Sequence, residues 1–377
     1  MAQPELNHDA VTEILLRFPP NNPACLVRAT LVCKPWRRIL KDPAFLDRYR
    51  EFHRAPPLLG YLHNGFHKDL KVTVPCFAPT VAVPPFPKPP LACRDSFVVD
   101  GRHGRVLLHA AEGNFIVWNP VTSDSPEEVP KPDSIPCISY SAAVLCAITG
   151  CDHRNCHGGP FRVLILGLGD SQGPVHACVY SSEARSWGTP VSLHLDINSW
   201  LGAGAVLIGE ELYYCILDNI ILEYDFGTHR LSAIDPPPVT EDMYGCSGFV
   251  PIALTEDDGS LGLAITRGSS LHLWSRKVKP DGVVGWVKLK VIQLELEKLV
   301  PTRSKKKGKL VPRLIGSAQG PDVIFMRTDV GIFMFEFKSG QARKTMPSTK
   351  KDAPGSKDTL NTINRDAMLS FAFVTVV

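Results

Sequence analysis

The sequence predicts an α+β chain in two parts: a small all-α helical module over residues 1–56, then an all-β propeller of six blades over residues 57–377. Three observations predict it. The first fifty residues carry four short stretches of helical apolar spacing, broken by prolines. Beyond them the pattern changes to short apolar runs separated by Gly, Asp and Asn; the 33 Pro and 29 Gly of the chain demand many turns and favour short strands. Those runs recur as meanders whose aromatic strand ends, Trp118, Tyr180, Tyr224, Trp274 and Phe335, stand roughly 44 to 62 residues apart, the spacing of propeller blades with insertions.

Composition excludes several classes. Apolar residues make up 44% of the chain and charged residues 21%, values of a folded globular protein rather than a disordered one. A formal charge of +3 is too small for the footprint of a nucleic-acid binder, so no nucleic acid is expected. No signal-like segment opens the chain and no run of 18 apolar residues crosses it, so no membrane is expected either. The 11 cysteines are too sparse for a disulfide scaffold and odd in number, which fits a reducing cytoplasmic or nuclear compartment.

In the N-terminal part, Leu6, Ala10, Val11, Ile14, Leu15 and Phe18 fall on one helical face, with Asn7 as cap and Asp9 at the positive end. Pro19 and Pro20 stop this helix. Asn22 and Pro23 start a second over Ala24 to Lys34, Pro35 marks the next junction before Trp36, Ile39 and Leu40, and Asp42-Pro43 open a fourth bearing Phe45, Leu46, Tyr49 and Phe52. Four short helices in about fifty residues cannot bury all these faces by themselves, so some apolar surface is left for a partner.

Three blocks in this region are specific: Glu13-Ile14-Leu15-Leu16-Arg17-Phe18-Pro19-Pro20, Leu31-Val32-Cys33-Lys34-Pro35-Trp36-Arg37-Arg38 and Asp42-Pro43-Ala44-Phe45-Leu46. In order and spacing they resemble an F-box, the adaptor-binding module of Skp, cullin and F-box ubiquitin ligases. The resemblance spans about Leu6 to Arg50. It implies that Leu6, Ile14, Leu15, Phe18, Pro19, Val32, Cys33 and Trp36 form the helical core and the face that grips a Skp-type adaptor and, through it, a cullin. One position departs from the family pattern: Leu6-Asn7 stands where members usually carry Leu-Pro, and that proline commonly contacts the adaptor.

A stretch with seven prolines between Pro75 and Pro90 can be neither helix nor central strand and reads as an extended connection; a polyproline ligand is the alternative. The body then opens with Ser96 to Val99, Val106 to His109 and Phe115 to Trp118, a meander whose order recurs four more times. Phe333, Phe335 and Phe337 alternate with Met334 and Glu336 as in a half-buried strand. From Val287 to Glu297 two alternating runs are offset at Val291 and Ile292, which a β-bulge would repair; a helix competes there because Leu, Lys and Glu form helices well. Leu58 to His63 and Leu369 to Val377 lack hairpin partners, so a sixth blade is expected where the two ends meet. An F-box followed by blades resembles the large plant families with kelch-like or related C-terminal propellers. Asp95 to Thr122 and Gly150 to Phe161 look like grass-type members.

Chemical motifs are few. Cys151, His153, Cys156 and His157 lie within seven residues and have the ligand chemistry of zinc. No second pair follows at finger spacing, and nearby Cys146 sits in an apolar strand, so the expectation is a structural loop and no metal. Gly167 to Gly173 has its third glycine one position late for a dinucleotide loop and a strand where a helix is needed; it reads as a hairpin turn, and no cofactor is expected. Arg303 and Lys305 to Lys309 form a basic run read as a solvated loop, with nuclear import or an acidic partner as alternatives. No spacing marks a catalytic acid and base. The expected function is a non-catalytic substrate receptor of a Skp-cullin-F-box ligase with an unknown protein target. The alternatives are a propeller scaffold outside any ligase, and a propeller enzyme or small-molecule receptor with its site in the central channel.

Overall fold

A computed structural model describes residues 7–19, 23–53, 58–67, 72–80, 95–120, 125–135, 139–151, 153, 156, 158–168, 173–195, 201–216, 220–238, 246–254, 260–278, 282–299, 311–318, 323–328, 330–337, 339–347 and 371–375. Leu6, His157, the basic run from Arg303 to Lys309, and most of the proline-rich stretch lie outside these residues.

The N-terminal module holds the four expected helices: α1 (His8–Leu16), α2 (Pro23–Val32), α3 (Lys34–Lys41) and α4 (Pro43–His53). Asn7 caps α1, its Oδ1 accepting the Ala10 amide at 2.8 Å. Asp42 does the same for α4, accepting from the Ala44 amide at 3.0 Å. Val11, Leu15, Leu16, Ala29, Ile39, Leu40 and Phe45 form one small core, with Phe18 and Trp36 packed half-buried against it. The Tyr49 hydroxyl donates to the Phe18 carbonyl (2.7 Å) and the His53 ring contacts the Leu16 carbonyl (2.7 Å), which ties α4 to the end of α1.

From Leu58 onward every element among the described residues is a strand except one 3-10 turn at Leu296–Leu299. The chain runs first through β1 (Leu58–His67) and β2 (Val72–Pro79). The first blade follows, with β3 (Ser96–Arg102), β4 (Arg105–Ala110), β5 (Phe115–Trp118) and β6 (Glu127–Val129). The second has β7 (Ser139–Cys146), β8 (Phe161–Leu168), β9 (Val175–Ser181), β10 (Ser186–Trp187) and β11 (Val191–Leu193), the third β12 (Leu201–Ile208), β13 (Glu211–Ile216), β14 (Ile221–Asp225) and β15 (Arg230–Ile234). The fourth has β16 (Cys246–Leu254), β17 (Ser260–Arg267), β18 (Ser270–Val278) and β19 (Val284–Gln293), the fifth β20 (Arg313–Ala318), β21 (Val323–Thr328), β22 (Gly331–Glu336) and β23 (Ala342–Pro347). The last described strand is β24 (Phe371–Thr375).

Each blade is an antiparallel meander. The five aromatic markers of the sequence all stand on third strands, opposite Val106, Val163, Leu212, Leu263 and Ile324 of the second. That equivalence is the repeat: a bulky ring beside an aliphatic residue, re-used in every blade. The first strands β3, β7, β12, β16 and β20 pack in succession, and β24 packs on both β20 and β3, so the sheets close a ring.

Apolar clusters fill every junction of that ring. Phe115 and Val117 of the first blade meet Val163 and Tyr180 of the second; Leu164 and Leu166 meet Leu212 and Tyr224; Tyr213 meets Leu263; Leu273 meets Ile324 and Phe335. Because each sheet is covered by a neighbour on both faces, strands such as β5, β8 and β21 are buried along nearly their whole length rather than alternating. The half-buried reading of β22 fails for this reason. Phe333 and Phe335 face the fourth blade while Met334, also buried, faces the sheet of the chain ends.

Among the described residues the full blades number five, not six. The remaining place in the ring holds a three-stranded sheet in the order β2-β1-β24, where the two ends of the sequence pair antiparallel. Its Tyr61 and Leu58 pack on Phe325 and Val323, and its Leu62 packs on Val98 and Trp118. Gly60 fits because a Cβ there would stand 2.4 Å from the Ala78 carbonyl oxygen. Pro75 and Pro79 belong to β2, so the proline-rich stretch begins as strand rather than connection; β2 is the edge of its sheet, where proline is tolerated. In the fourth blade β19 is strand and not helix, and its register slips where Leu273 pairs Lys290 but Trp274 pairs Lys288. The extra residue is Leu289, two positions before the expected offset.

Candidate functional site

Two places bring together side chains that the fold itself does not use. The first is the helical module. Leu15 is fully buried and Phe18 and Trp36 pack on the core, so these three are structural. Pro19 and Cys33 are exposed, Val32 is 62% exposed and Ile14 is 38% exposed. Leu31, absent from the expected set, is the most exposed apolar side chain here at 71%. Leu31, Val32 and Cys33 end α2 and lead into α3, so an apolar step stands at that junction. Exposed Lys34, Arg38 and Lys41 flank it with positive charge. Helical periodicity shows which residues share a face but not which face lacks a partner, so Leu31 carried no signal of its own.

The second place is the connection from β7 to β8. Cys146 ends β7; Cys151, His153 and Cys156 follow in the loop. Three sulfurs and one ring nitrogen of these residues all lie within 4.8 Å of one another. Cys156 Sγ stands 3.8 Å from His153 Nδ1. Cys146 was set aside in the sequence as part of an apolar strand, but it is the last residue of that strand and its sulfur joins the loop cluster.

Backbone and neighbours hold this arrangement. The amides of Ile148 and His153 donate to the sulfurs of Cys146 and Cys151, each at 3.4 Å. The His153 ring stacks on His103 at 4.0 Å, and His103 Nδ1 accepts the Cys146 amide at 3.1 Å. His103 reaches this place because it and Gly104, both at positive φ, make the tight β3–β4 turn. Burial, then the charges of His153, Arg102 and Arg105, holds the His103 pKa down at about 3. Arg105 Nη2 donates to the Cys156 carbonyl at 2.7 Å and also to that of Gly159. Its Nη1 is buried with no hydrogen-bond partner among the described residues. Burial, then Cys146, pushes the Cys156 thiol up to about 12, and burial raises that of Cys146 as well.

A third polar group is structural. Asp100 and Arg102 form a buried ion pair at 2.9 Å; Asp100 also accepts the Val144 amide at 3.0 Å, and Arg102 donates to the Ala205 carbonyl at 2.6 Å. These bonds lace the first strands of three consecutive blades together and satisfy both charges.

Comparison with known proteins agrees with this architecture. A family profile of the F-box domain matches residues 4–48. A second, described as F-box protein AT5G49610-like, beta-propeller, matches residues 97–358, more than half of the chain. The chain belongs to the AT5G49610-like family of F-box proteins. Its helices α1 to α4 are thus the F-box and its blades the family's propeller. None of the curated proteins matches the sequence. Among solved structures, the extracellular domain of a one component system from B. thetaiotaomicron is 12% identical over 67% of this chain and 28% of its own, with a TM-score of 0.35. BBS1N in complex with ARL6DN is 11% identical over 74% of this chain and 75% of its own, at 0.37. A structural genomics protein of unknown function from Bacteroides thetaiotaomicron is 13% identical over 66% and 57%, at 0.35. The F-box chain spans little more than a quarter of the first of these.

Proposed function

We propose that this F-box protein is the substrate-receptor subunit of a Skp-cullin-F-box ubiquitin ligase, acting in the cytoplasm or nucleus. The observation that carries the reading is the apolar step Leu31-Val32-Cys33, left open by a module whose own core is complete without it. F-box domains generally bind Skp-type adaptors, and exposed large apolar side chains beside Lys34, Arg38 and Lys41 suit a partner surface that is apolar at its centre and acidic at its rim. The mechanism is proximity. A target held on the propeller has its lysines near the ubiquitin-charged enzyme brought by the cullin, which raises effective concentration and asks no nucleophile of this chain. The three-stranded sheet of the chain ends serves in this reading as the closing sixth blade. Grass-type affinity rests on the motifs Asp95 to Thr122 and Gly150 to Phe161 alone, and kelch-like affinity on the order of F-box then blades.

Affinity purification of the full-length protein tests the proposal. Adaptor and cullin are expected to copurify, and to be lost together in Leu31→Asp/Val32→Asp while the melting transition stays in place. Wild-type protein that captures neither refutes it. Asn7 favours one other reading, a propeller scaffold outside any ligase, and capture of targets without adaptor is the outcome that would select it.

A further inference from the structure

We propose that Cys146, Cys151, His153 and Cys156 bind one zinc ion that pins the β7–β8 loop to the second blade. Three observations carry this. The set is complete: three sulfurs and an imidazole from four separate residues converge within 4.8 Å, and a closed four-ligand set of Cys and His is the pattern of structural zinc. At a zinc–sulfur bond of about 2.3 Å, the edges of a tetrahedral site are about 3.8 Å, so the donors need close by about 1 Å at most. The Cys156 to His153 edge, 3.8 Å, is already there.

The surroundings are those of a metal-bound thiolate rather than a packed thiol. Amides two residues beyond Cys146 and Cys151 point at the sulfurs, as supports of ligand charge and orientation do. Arg105 is buried beside the cluster with Nη1 unpartnered among the described residues, a costly arrangement for a cation. Binding resolves it. Zinc(II) displaces one proton from each of the three thiols, the protons leave to solvent, neutral His153 adds its lone pair, and the resulting site carries one negative charge next to the guanidinium. With four protein ligands no position is open for water, so the role is structural. The site braces a connection whose described residues form no helix or strand and which lies against the β3–β4 turn through His103.

The test uses full-length protein purified without chelators from zinc-supplemented cells. About one zinc per chain is expected by elemental analysis. Cobalt(II) added to the stripped protein should give the intense visible and near-ultraviolet bands of tetrahedral thiolate coordination. Cys151→Ser and His153→Ala should lose the metal, whereas Cys178→Ser, a buried thiol elsewhere in the second blade, and His157→Ala should keep it. If the cluster variants fail to fold, chelation of the wild type decides: its melting temperature should fall and recover with zinc. Folded wild-type protein that holds no zinc and gives no cobalt spectrum overturns the proposal. So does a disulfide between two of these cysteines in freshly isolated protein, or full zinc retention in His153→Ala.

Discussion

Replacing Tyr61 tests whether the sheet of the two chain ends is integral to the ring. The side chain is fully buried, its ring meets Phe325 of the fifth blade at 5.2 Å and 62°, and its hydroxyl lies 3.2 Å from Thr345 Oγ1. On the same strand pair it stands opposite Phe373 of β24. Truncating a buried aromatic residue to alanine costs about 3–5 kcal/mol, to which the edge-on ring pair contributes about 1 kcal/mol. At roughly 2 °C per kcal/mol for a domain this large, Tyr61→Ala should melt about 8 °C below wild type. Tyr61→Phe keeps the ring contact and loses only the hydroxyl bond, for about 1 kcal/mol and a shift of about 2 °C. The assay is thermal unfolding of the full-length protein followed by near-ultraviolet circular dichroism. A Tyr61→Ala protein melting within a degree of wild type would show that the ring stands without its closing sheet.

Three further outcomes follow from the same geometry. Trp36→Ala should weaken the F-box by roughly 2 kcal/mol rather than the 3–5 kcal/mol of a fully buried indole, because Trp36 is only half-buried against the core, and chemical denaturation monitored on the helical signal measures it. Asn7 sits at φ −65°, the angle proline requires, so Asn7→Pro should tighten adaptor binding while its lost cap costs about 1 kcal/mol of helix stability; equal or weaker affinity in a titration contradicts the contact role. His109 accepts or donates to Tyr140 at 2.5 Å, stacks on Phe115 at 4.8 Å and has its pKa lowered chiefly by burial. The unfolded state therefore takes up a proton near pH 6.5 that the folded state refuses, so stability should fall from pH 7 to pH 5, and His109→Gln should make that slope shallower, leaving the share of His103, in melting curves taken across the range.

The propeller was legible because its inner strands are largely buried on both sides. Val163 to Leu166 or Ile324 to Met326 leave few other structures open once turns bound them. The same double burial misled the reading of Met334, since alternation of residue type was taken for alternation of environment. Leu289 and its bulge were misplaced because Leu and Lys alternate on both sides of it, and only the partner strand fixes the register. At the candidate zinc site, Cys151, His153 and Cys156 were visible as a cluster. Cys146 was not, because an apolar strand with a cysteine at its end looks the same in sequence whether the sulfur points into the core or out at a loop. The exposed Leu31 escaped for a kindred reason: exposure is a property of how helices sit together, which no single helix encodes.

The pairing of β1 with β24 also sets an order of events during synthesis. β1 leaves the ribosome directly after the F-box helices and pairs at once with β2, yet its second partner, β24, lies some three hundred residues further on. At typical elongation rates, on the order of tens of seconds separate the two. Through that interval the F-box can already be folded, while Tyr61 lacks Phe325 and the β24 strand that cover it. A message cut short anywhere in the propeller would thus yield a chain with a folded F-box whose ring never closes, its uncovered strand edges open to pairing with other chains. Synthesis of β24 is, in effect, what lets the ring close.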